Sequence, residues 1–289
     1  MKISIVVASM NRSQEIAQLL ERLAVQTLQP HAIVLSVPTE NDLPPVVPAG
    51  VQTVLGPKGL TLQRNRGLDM VLADCDVVMF YDDDFLPAKT SLAGVAQLFA
   101  DHPDIVSATG TVLVDGVRGG GISFETGMQA VLAFEANHPP PLEIMDYNGA
   151  YGCNMAFRAA AINDMRFDEN LPLHGWQEDI DFSNRLRHRG RLVKTNAFVG
   201  VHRGVNKGRS PGVPLGFAQI VNPAYLVKKG AITPKKARQL MLRCFVANHL
   251  KSFRPEPEID RRGRLRGNWY GIFHLLRGRS DPMTILTLK

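Results

Sequence analysis

Short continuous runs of apolar residues alternate with stretches in which apolar positions recur every three or four residues, and this alternation organises the first half of the chain. Ile3 to Ala8 predicts a buried strand, and Asn11 or Ser13 can cap a following helix whose Ile16, Leu19, Leu20 and Leu23 fall at helical spacing. Ala32 to Val37 predicts a second strand and Val51 to Leu55 a third. Leu62 to Ala73 predicts a helix with Leu68, Val71 and Leu72 on one face, and Val77 to Tyr81 a fourth strand. Strand-helix alternation of this kind implies an α/β fold of parallel strands with helices over both faces. Ligands of such sheets bind outside the carboxyl ends of the strands. Ala8-Ser9-Met10-Asn11-Arg12 and Tyr81-Asp82-Asp83-Asp84 both occupy that kind of position.

In the second half, His174-Gly175-Trp176-Gln177-Glu178-Asp179 reads as a loop running into a helix. Ile180, Phe182 and Leu186 are available for packing and Gly190 is the stop. Acidic residues in a first helical turn are accounted for by the helix dipole alone, which covers Glu178 or Asp181 taken separately. The dipole accounts less well for Trp176 just before the acids. After the short strand Val199-Gly200-Val201 comes His202, which alone is more readily a structural or surface histidine than a ligand. The Gly/Pro-rich basic segment from Arg203 to Gly216, with Lys207 and Arg209, has little to bury and could close over an anionic ligand. Between the halves, Gly119-Gly120-Gly121 can flex and Asn137-His138-Pro139-Pro140-Pro141 makes a rigid turn.

A length of 289 residues fits one large domain or a domain with an appendage, and the 45% hydrophobic and 21% charged composition is that of a globular protein. No stretch approaches the roughly 20 uninterrupted apolar residues of a membrane span. Met1 to Ala8 reads as a first strand, not a signal peptide, so cytoplasmic residence is expected. Cys75, Cys153 and Cys244 are odd in number and widely spaced, against a disulfide framework or a zinc site. The net charge of +6 is unevenly placed: Lys228 to Arg279 holds fourteen Lys or Arg against three acids, leaving about −5 elsewhere. Those basic residues are interleaved with Leu240, Met241, Leu242, Phe245, Val246, Leu250, Phe253, Trp269, Tyr270, Ile272, Phe273, Leu275 and Leu276, a mixture that can lie on an anionic membrane surface. A helical appendage with a solvated basic face explains it equally well. Nucleic acid is disfavoured as a partner because no recognition motif accompanies the charge.

Three consecutive carboxylates at Asp82-Asp83-Asp84 repel and raise one another's pKa. A divalent cation with a preference for hard oxygen ligands makes the same cluster favourable. A solvated acidic loop capping the next helix is the other explanation. Asn11-Arg12, Gln63-Arg64-Asn65-Arg66-Gly67-Leu68, the strand ending in Asp82-Asp83-Asp84 with Pro87, Gly152-Cys153-Asn154-Met155-Ala156-Phe157-Arg158, Gly175-Trp176-Gln177-Glu178-Asp179 and His202 together resemble glycosyltransferase family 2. The order matches from about Ile3 to about His202, and the combination is more specific than any one piece.

The resemblance implies a GT-A fold, Rossmann-like with a mostly parallel central sheet, over residues 1–217. About 1–110 would form the nucleotide-sugar half and 111–217 the acceptor half, with a basic, mainly helical extension over 218–289. It implies an inverting hexosyltransferase of polysaccharide biosynthesis, a nucleotide-sugar donor and Mn or Mg bound through the DxD motif. By position, Asp84 and His202 would contact the metal, and Asp82 would reach the ribose or share the metal indirectly. Asp83 lies with Asn11, Arg12 and Arg64 on the nucleotide side, and its replacement is expected to matter least of the three acids. Arg64 could equally be a surface helix residue. Asp179 matches the catalytic base, which needs no large pKa shift to be ionised at neutral pH. Gly175 matches a flexible glycine before the acids, Glu178 flanks the base, and Asn154 and Trp176 are candidate sugar contacts, as is Tyr147, which packing explains better. Arg203, Lys207 and Arg209 would form a lid over the diphosphate.

The chain departs from the family after its second strand, where Ser36-Val37-Pro38-Thr39-Glu40-Asn41-Asp42 lacks the usual acidic pair for a uridine base. The nucleotide therefore stays open between UDP and GDP, and the acceptor between a glycan and a lipid-linked saccharide, the latter with a peripheral enzyme at the cytoplasmic membrane face. Two alternatives are a sugar nucleotidyltransferase, which normally has a Gly-rich basic signature after strand one, and a non-catalytic basic adaptor with a degenerate sugar-nucleotide domain.

Overall fold

The structure, a computed structural model, describes residues 1–138, 140–205 and 211–288. The chain divides into two compact units. One holds Met1–Lys58, Leu62–Arg166 and the chain from Leu186 through the last strand. The other holds Gly59–Thr61, Phe167–Arg185 and the C-terminal helices. The sequence reading divides the chain at 217/218, whereas here the 167–185 segment groups with the helices.

The first unit is built on one mixed sheet. Its strands are β1 (Ile3–Ala8), β2 (Ala32–Val37), β3 (Val51–Leu55), β4 (Val77–Asp82), β5 (Phe85–Pro87), β6 (Ile105–Asp115), β7 (Ile144–Asp146), β8 (Asn154–Arg158) and β9 (Arg191–His202). They lie in the order β3-β2-β1-β4-β8-β6-β9-β5, with β7 also on β9. The first four are parallel, as the apolar runs predict. Beyond them β8 is antiparallel to β4 and β6, while β6 and β9 are parallel.

Alternation along the strands explains how both faces are covered. Ile3, Ile5 and Val7 of β1 and Val77, Met79 and Tyr81 of β4 join one core with Ile16, Leu19, Leu20 and Leu23 of α1 (Ser13–Ala24) and Leu92, Val95, Leu98 and Phe99 of α3 (Ser91–Asp101). On the opposite face α2 (Leu60–Val71) brings Gly67 so close that a Cβ there would lie 2.4 Å from Val6. The remaining helices of this unit are α4 (Phe124–Glu135) and the single turn α5 (Ala159–Ile162). The expected side-chain cap of α1 is absent. Arg12 is the N-cap residue and makes no capping bond, while Asn11 adopts φ 59° and donates its backbone N–H to Asp42 Oδ1 at 2.6 Å.

Strand register gathers the candidate residues. Ala8 lies opposite both Ser36 and Asp82, so the segments after β1, β2 and β4 leave the same sheet edge. After Asp83-Asp84 the chain enters β5, whose Phe85 pairs with His202. The end of β4 and the end of β9 are thus joined by two residues although other strands separate them in the sheet. Only a curled sheet satisfies both pairings.

The second unit contains α6 (Glu178–Arg185), α7 (Gly212–Lys228), α8 (Pro234–Lys251) and α9 (Arg261–Leu276). α7 and α9 meet at backbone distance: a Cβ on Gly216 would lie 2.0 Å from Arg264 O, and one on Gly267 2.1 Å from Val213 O. Buried amides tie in α8, with Asn248 Nδ2 donating to Gln219 Oε1 (2.8 Å) and Asn268 Oδ1 (2.9 Å), and Asn268 Nδ2 to Gly216 O (2.7 Å). Phe167 and Phe182 stack at 4.0 Å, and beside them Lys229 Nζ donates to Asp168 (2.5 Å) and to the fully buried Asp181 (2.8 Å). The Asn248, Asn268 and Gln219 amides answer one another across the helices, and such a network favours one helix register, whereas Asp181 Oδ1 has no hydrogen-bond partner among the described residues.

Candidate active site

The three consecutive carboxylates turn to three different partners. Asp82, the last residue of β4, accepts from Arg64 Nη2 at 3.0 Å. Asp83 is buried, accepting from Ser9 Oγ at 2.5 Å and Arg12 Nη1 at 2.8 Å. Asp84, also buried, accepts through Oδ2 from the Val205 backbone N–H at 2.7 Å and lies 3.4 Å from Arg12 Nη1. Its other oxygen, Oδ1, makes no hydrogen bond among the described residues, although His202 Nε2 is 3.3 Å away.

Burial would raise Asp84, but the charges of His202 and Arg12 and the Val205 N–H hold it below the usual carboxylate range. Burial pushes Asp83 up, against the opposing pull of Arg12. For His202, burial alone would lower the imidazole; the adjoining Cys153 thiol and the Asp115 and Asp84 carboxylates raise it well above the ordinary histidine range.

One ligand atom each from Asp82, Asp84 and His202 lie within 4.8 Å of one another. Two hard carboxylate oxygens and one imidazole nitrogen suit Mn or Mg. The buried Asp84 Oδ1, without a hydrogen bond among the described residues, is the atom such an ion would satisfy. The residues present therefore fit a divalent cation.

Of the remaining candidates of this unit, Arg64 and Arg12 contact the acids at the end of β4 directly. Arg64 is not a surface residue of α2: it is almost fully buried, donates to Gly152 O as well as to Asp82, and lies over the Phe80 ring. Arg12 reaches across to Val205 O at 2.8 Å, joining the loop after β1 to the segment after β9. Asp42 is spent on the loops after β1 and β2, accepting from the Asn11 and Thr39 backbone N–H groups and from the Thr39 hydroxyl, and is itself buried. Asn154 is fully buried opposite Tyr81, and neither atom of its amide group hydrogen-bonds among the described residues.

Arg203 corrects the lid expectation. It is buried, with its guanidinium on Gln18 Oε1 (2.6 Å) and Ile122 O (3.3 Å) and over Phe124, so it is held inward by packing. Lys207 and Arg209 lie outside the described residues. Asp115 and Tyr151, which contact His202 Nδ1 at 3.1 and 3.3 Å, were not legible as site residues. A local signal existed only for Asp115, as an Asp-Gly turn after a long apolar strand.

In the second unit, the loop before α6 has an unusual backbone. Leu173, Gly175 and Gln177 have φ of 61°, 57° and 74°, and for Leu and Gln this is a costly conformation of the kind that clusters at functional sites. At Gly175 a Cβ would meet Glu178 Cγ at 2.8 Å, which selects glycine there. Trp176 is fixed by its carbonyl, which accepts from Asn222 Nδ2 at 2.9 Å, and by packing near Phe217 and Ile285. Glu178 is buried, whereas the half-buried Asp179 stands in the first turn of α6, its Oδ1 accepting from the Ile180 N–H at 2.8 Å.

No family model matches the chain. A stretch of 91 residues is 35% identical to the uncharacterized glycosyltransferase YwdF of Bacillus subtilis (strain 168), covering 29% of this chain and 34% of that protein, so the match spans about a third of the relative's length. Among solved structures, the mannosyltransferase PcManGT from Pyrobaculum calidifontis, in complex with GDP-Man and Mn2+, superposes at a TM-score of 0.52. That match has 13% identity over 99% of this chain and 78% of that one. S. aureus TarS 1–349 in complex with UDP-GlcNAc superposes at 0.50 with 17% identity over 88% and 73%. The chain therefore has a glycosyltransferase fold of the GT-A-like kind.

Proposed function

We propose that the chain is an inverting, metal-dependent glycosyltransferase that moves a hexosyl group from a nucleotide-sugar donor to an acceptor hydroxyl. The observation that carries this reading is the Asp82, Asp84 and His202 group at the carboxyl edge of the parallel strands, with Asp84 Oδ1 buried and without a hydrogen bond among the described residues. A divalent ion held there would neutralise charge on the departing diphosphate. Arg12 and Arg64 hold the carboxylates in place and add positive charge beside the nucleotide. Asp179 accepts the proton of the acceptor hydroxyl as that oxygen bonds to the anomeric carbon. The bond from that carbon to the diphosphate oxygen breaks, and the nucleoside diphosphate leaves with the electron pair. One carboxylate base suffices, because the leaving group needs charge stabilisation in place of a proton.

UDP and GDP sugars, the donors bound by the two superposable proteins, are the first to test. Asp42 fixes the loop backbone at Asn11 and Thr39, which favours base recognition by that loop over recognition by Asp42 itself.

The acceptor we favour is a lipid-linked saccharide met at an anionic membrane surface. Leu242, Val246, Leu250 and Phe253 of α8 and the turn after it, with Trp269, Phe273 and Leu276 of α9, are all more than 40% exposed. Phe253 and Trp269 line a groove together with Arg262 and Arg266. Aromatic and leucine side chains beside arginines match the interfacial layer of an anionic bilayer in polarity and in charge. No helix is long and apolar enough to cross a membrane among the described residues.

The decisive experiment is turnover of a nucleotide-sugar panel with an acceptor and Mn or Mg. Activity should vanish with chelator. Asp179→Asn should lose it while retaining donor binding. Donor binding undiminished in Asp84→Ala with chelator present would refute the metal assignment. Equal retention of wild type and a Phe253→Ser/Trp269→Ser/Phe273→Ser variant on anionic liposomes at low salt would refute the membrane reading.

A further inference from the structure

We infer that Asp115, itself held by Tyr151, is a positioning residue that fixes His202 with Nε2 turned to Asp82 and Asp84, and so sets the affinity of this site for a divalent cation. The inference rests on the metal reading above. An imidazole has two nitrogens, and only one can face the ligand group. Here Nε2 lies 3.3 Å from Asp84 Oδ1 and 3.9 Å from Asp82 Oδ2, while Nδ1 faces the other way, 3.1 Å from Asp115 Oδ1. A carboxylate accepting from Nδ1–H keeps the proton on that nitrogen, leaves the Nε2 lone pair for the ion and makes it more basic.

Asp115 is itself built in. Its Oδ1 also accepts from Val117 N at 3.1 Å and its Oδ2 from the Tyr151 hydroxyl at 2.9 Å. Tyr151 is anchored through its N–H to Thr109 Oγ1 at 3.2 Å, and its ring stands edge-on to His202 at 5.9 Å. The backbone enforces the meeting. β6 and β9 run in parallel until a register shift after Val112, which brings Asp115 opposite His202. The next residues then approach closely: a Cβ on Gly116 would lie 1.9 Å from Arg203 O, and one on Gly204, at φ 63°, would lie 2.4 Å from Val117 N. Two glycines therefore press the end of β6 against the segment that carries His202. Asp115 stays outside the ligand group itself, on the far side of the ring.

Mn2+ titrated calorimetrically into the full chain, with no nucleotide, tests this. Asp115→Ala should bind about 10- to 100-fold more weakly, the range for loss of an outer partner of a metal-bound histidine. Asp115→Asn, whose amide oxygen still accepts from Nδ1–H, should recover most of that loss, and Tyr151→Phe should cost a few-fold. In a His202→Ala background, Asp115→Ala should add less than about twofold, because a residue acting through the imidazole has nothing left to act on. Affinity within about twofold of wild type for Asp115→Ala, or an equal loss with and without His202, overturns the inference in favour of no role or a general charge effect. If Asp115→Ala does not fold by circular dichroism, Tyr151→Phe decides, and unchanged Mn2+ affinity there overturns it. Absence of Mn2+ binding in the wild type overturns the metal reading as well, whereas wild-type binding lost in His202→Ala but not in Asp115→Ala overturns this inference alone.

Discussion

Acidification to pH 5 should loosen the loop that carries Trp176, Glu178 and Asp179, through His174. The His174 Nε2 is shut off from solvent, and burial, with a further push from the Arg264 charge, lowers the imidazole from its ordinary 6.5 to about 4. A group depressed on folding contributes stability that is fully present above its unfolded value. That contribution is lost as the pH falls through 6.5 towards 4, because the unfolded chain takes up the proton first. The full shift corresponds to about 3 kcal/mol, of which about 2 kcal/mol is lost between pH 7.5 and pH 5. For a protein of this size that is a fall in Tm of roughly 4–8 °C. The assay is urea and thermal unfolding of the wild type and of His174→Gln at both pH values. The glutamine variant starts from a different baseline, and only its pH dependence matters. It should lose about 2 kcal/mol less than the wild type on acidification. Parallel losses in the two proteins would refute the reasoning, and would show that the imidazole is protonated or hydrated in the folded loop.

Lys229→Met removes the cation between Asp168 and the fully buried Asp181, leaving Asp181 with Arg185 at 3.0 Å as its cation among the described residues, and should destabilise by about 3 kcal/mol in urea unfolding, as for other broken buried pairs. Burial would raise Asp168, but Lys229 and Tyr225 hold it below the usual carboxylate range. Its share of stability is therefore lost as the pH drops below about 4, and the methionine variant should lack that acid limb. Gly267→Val places side-chain atoms where a Cβ already meets Val213 O at 2.1 Å and Phe217 N at 2.7 Å. Both are backbone, so α9 must move off α7, with a loss of roughly 3 kcal/mol or an insoluble product. Asp83→Leu strands Ser9 and half of the Arg12 clamp, whereas Asp83→Asn keeps its one oxygen for Arg12 and turns an amide N–H to the Ser9 hydroxyl oxygen. The leucine variant should be less stable than the asparagine one by about 2 kcal/mol, and equal stability would return Asp83 to the role of least consequence.

Three of the four strands in the parallel half, β1, β2 and β4, were legible because each is a short apolar run followed by a turn, and burial on both faces leaves no other use for such runs, whereas the edge strand β3 is largely exposed. The buried stripe of α1 was legible for the same reason, but its start was not. Asn11 and Ser13 are good caps locally, yet Asp42, 31 residues away, claims the Asn11 N–H and turns that residue to positive φ. Arg203 misled in the opposite direction. A basic residue beside glycines in a polar segment resembles a loop cation, and only the partners Gln18, Ile122 and Phe124, far off in sequence, reveal it as buried. Asp115 and His202 are separated by 87 residues and meet through a strand slip and two glycines, none of which leaves a periodic trace. By contrast, Gly212-Val213-Pro214-Leu215-Gly216 and the glycines at 263, 267 and 271 recur every four residues on α7 and α9. They are a readable sign of close helix packing.

The three acids after β4 illustrate why composition alone cannot rank equivalent residues. Read in a row they repel, and the sequence can only say that something positive must be near. In the fold each is answered by a different group: Arg64 for Asp82, Arg12 with Ser9 for Asp83, and His202 with the Val205 N–H for Asp84. Two of those cations are arginines, which keep their charge at every accessible pH and hold the carboxylates in place permanently. The third is a histidine, which can give up its proton and become a ligand. A divalent ion held by Asp82, Asp84 and His202 would need the His202 Nε2 lone pair, while the Arg64–Asp82 and Arg12–Asp83 pairs could stay in place. Arg64 lies on Asp82 and Arg12 on Asp83 with a longer reach to Asp84 Oδ2, which leaves the histidine facing Asp84 Oδ1, the oxygen without a hydrogen bond among the described residues.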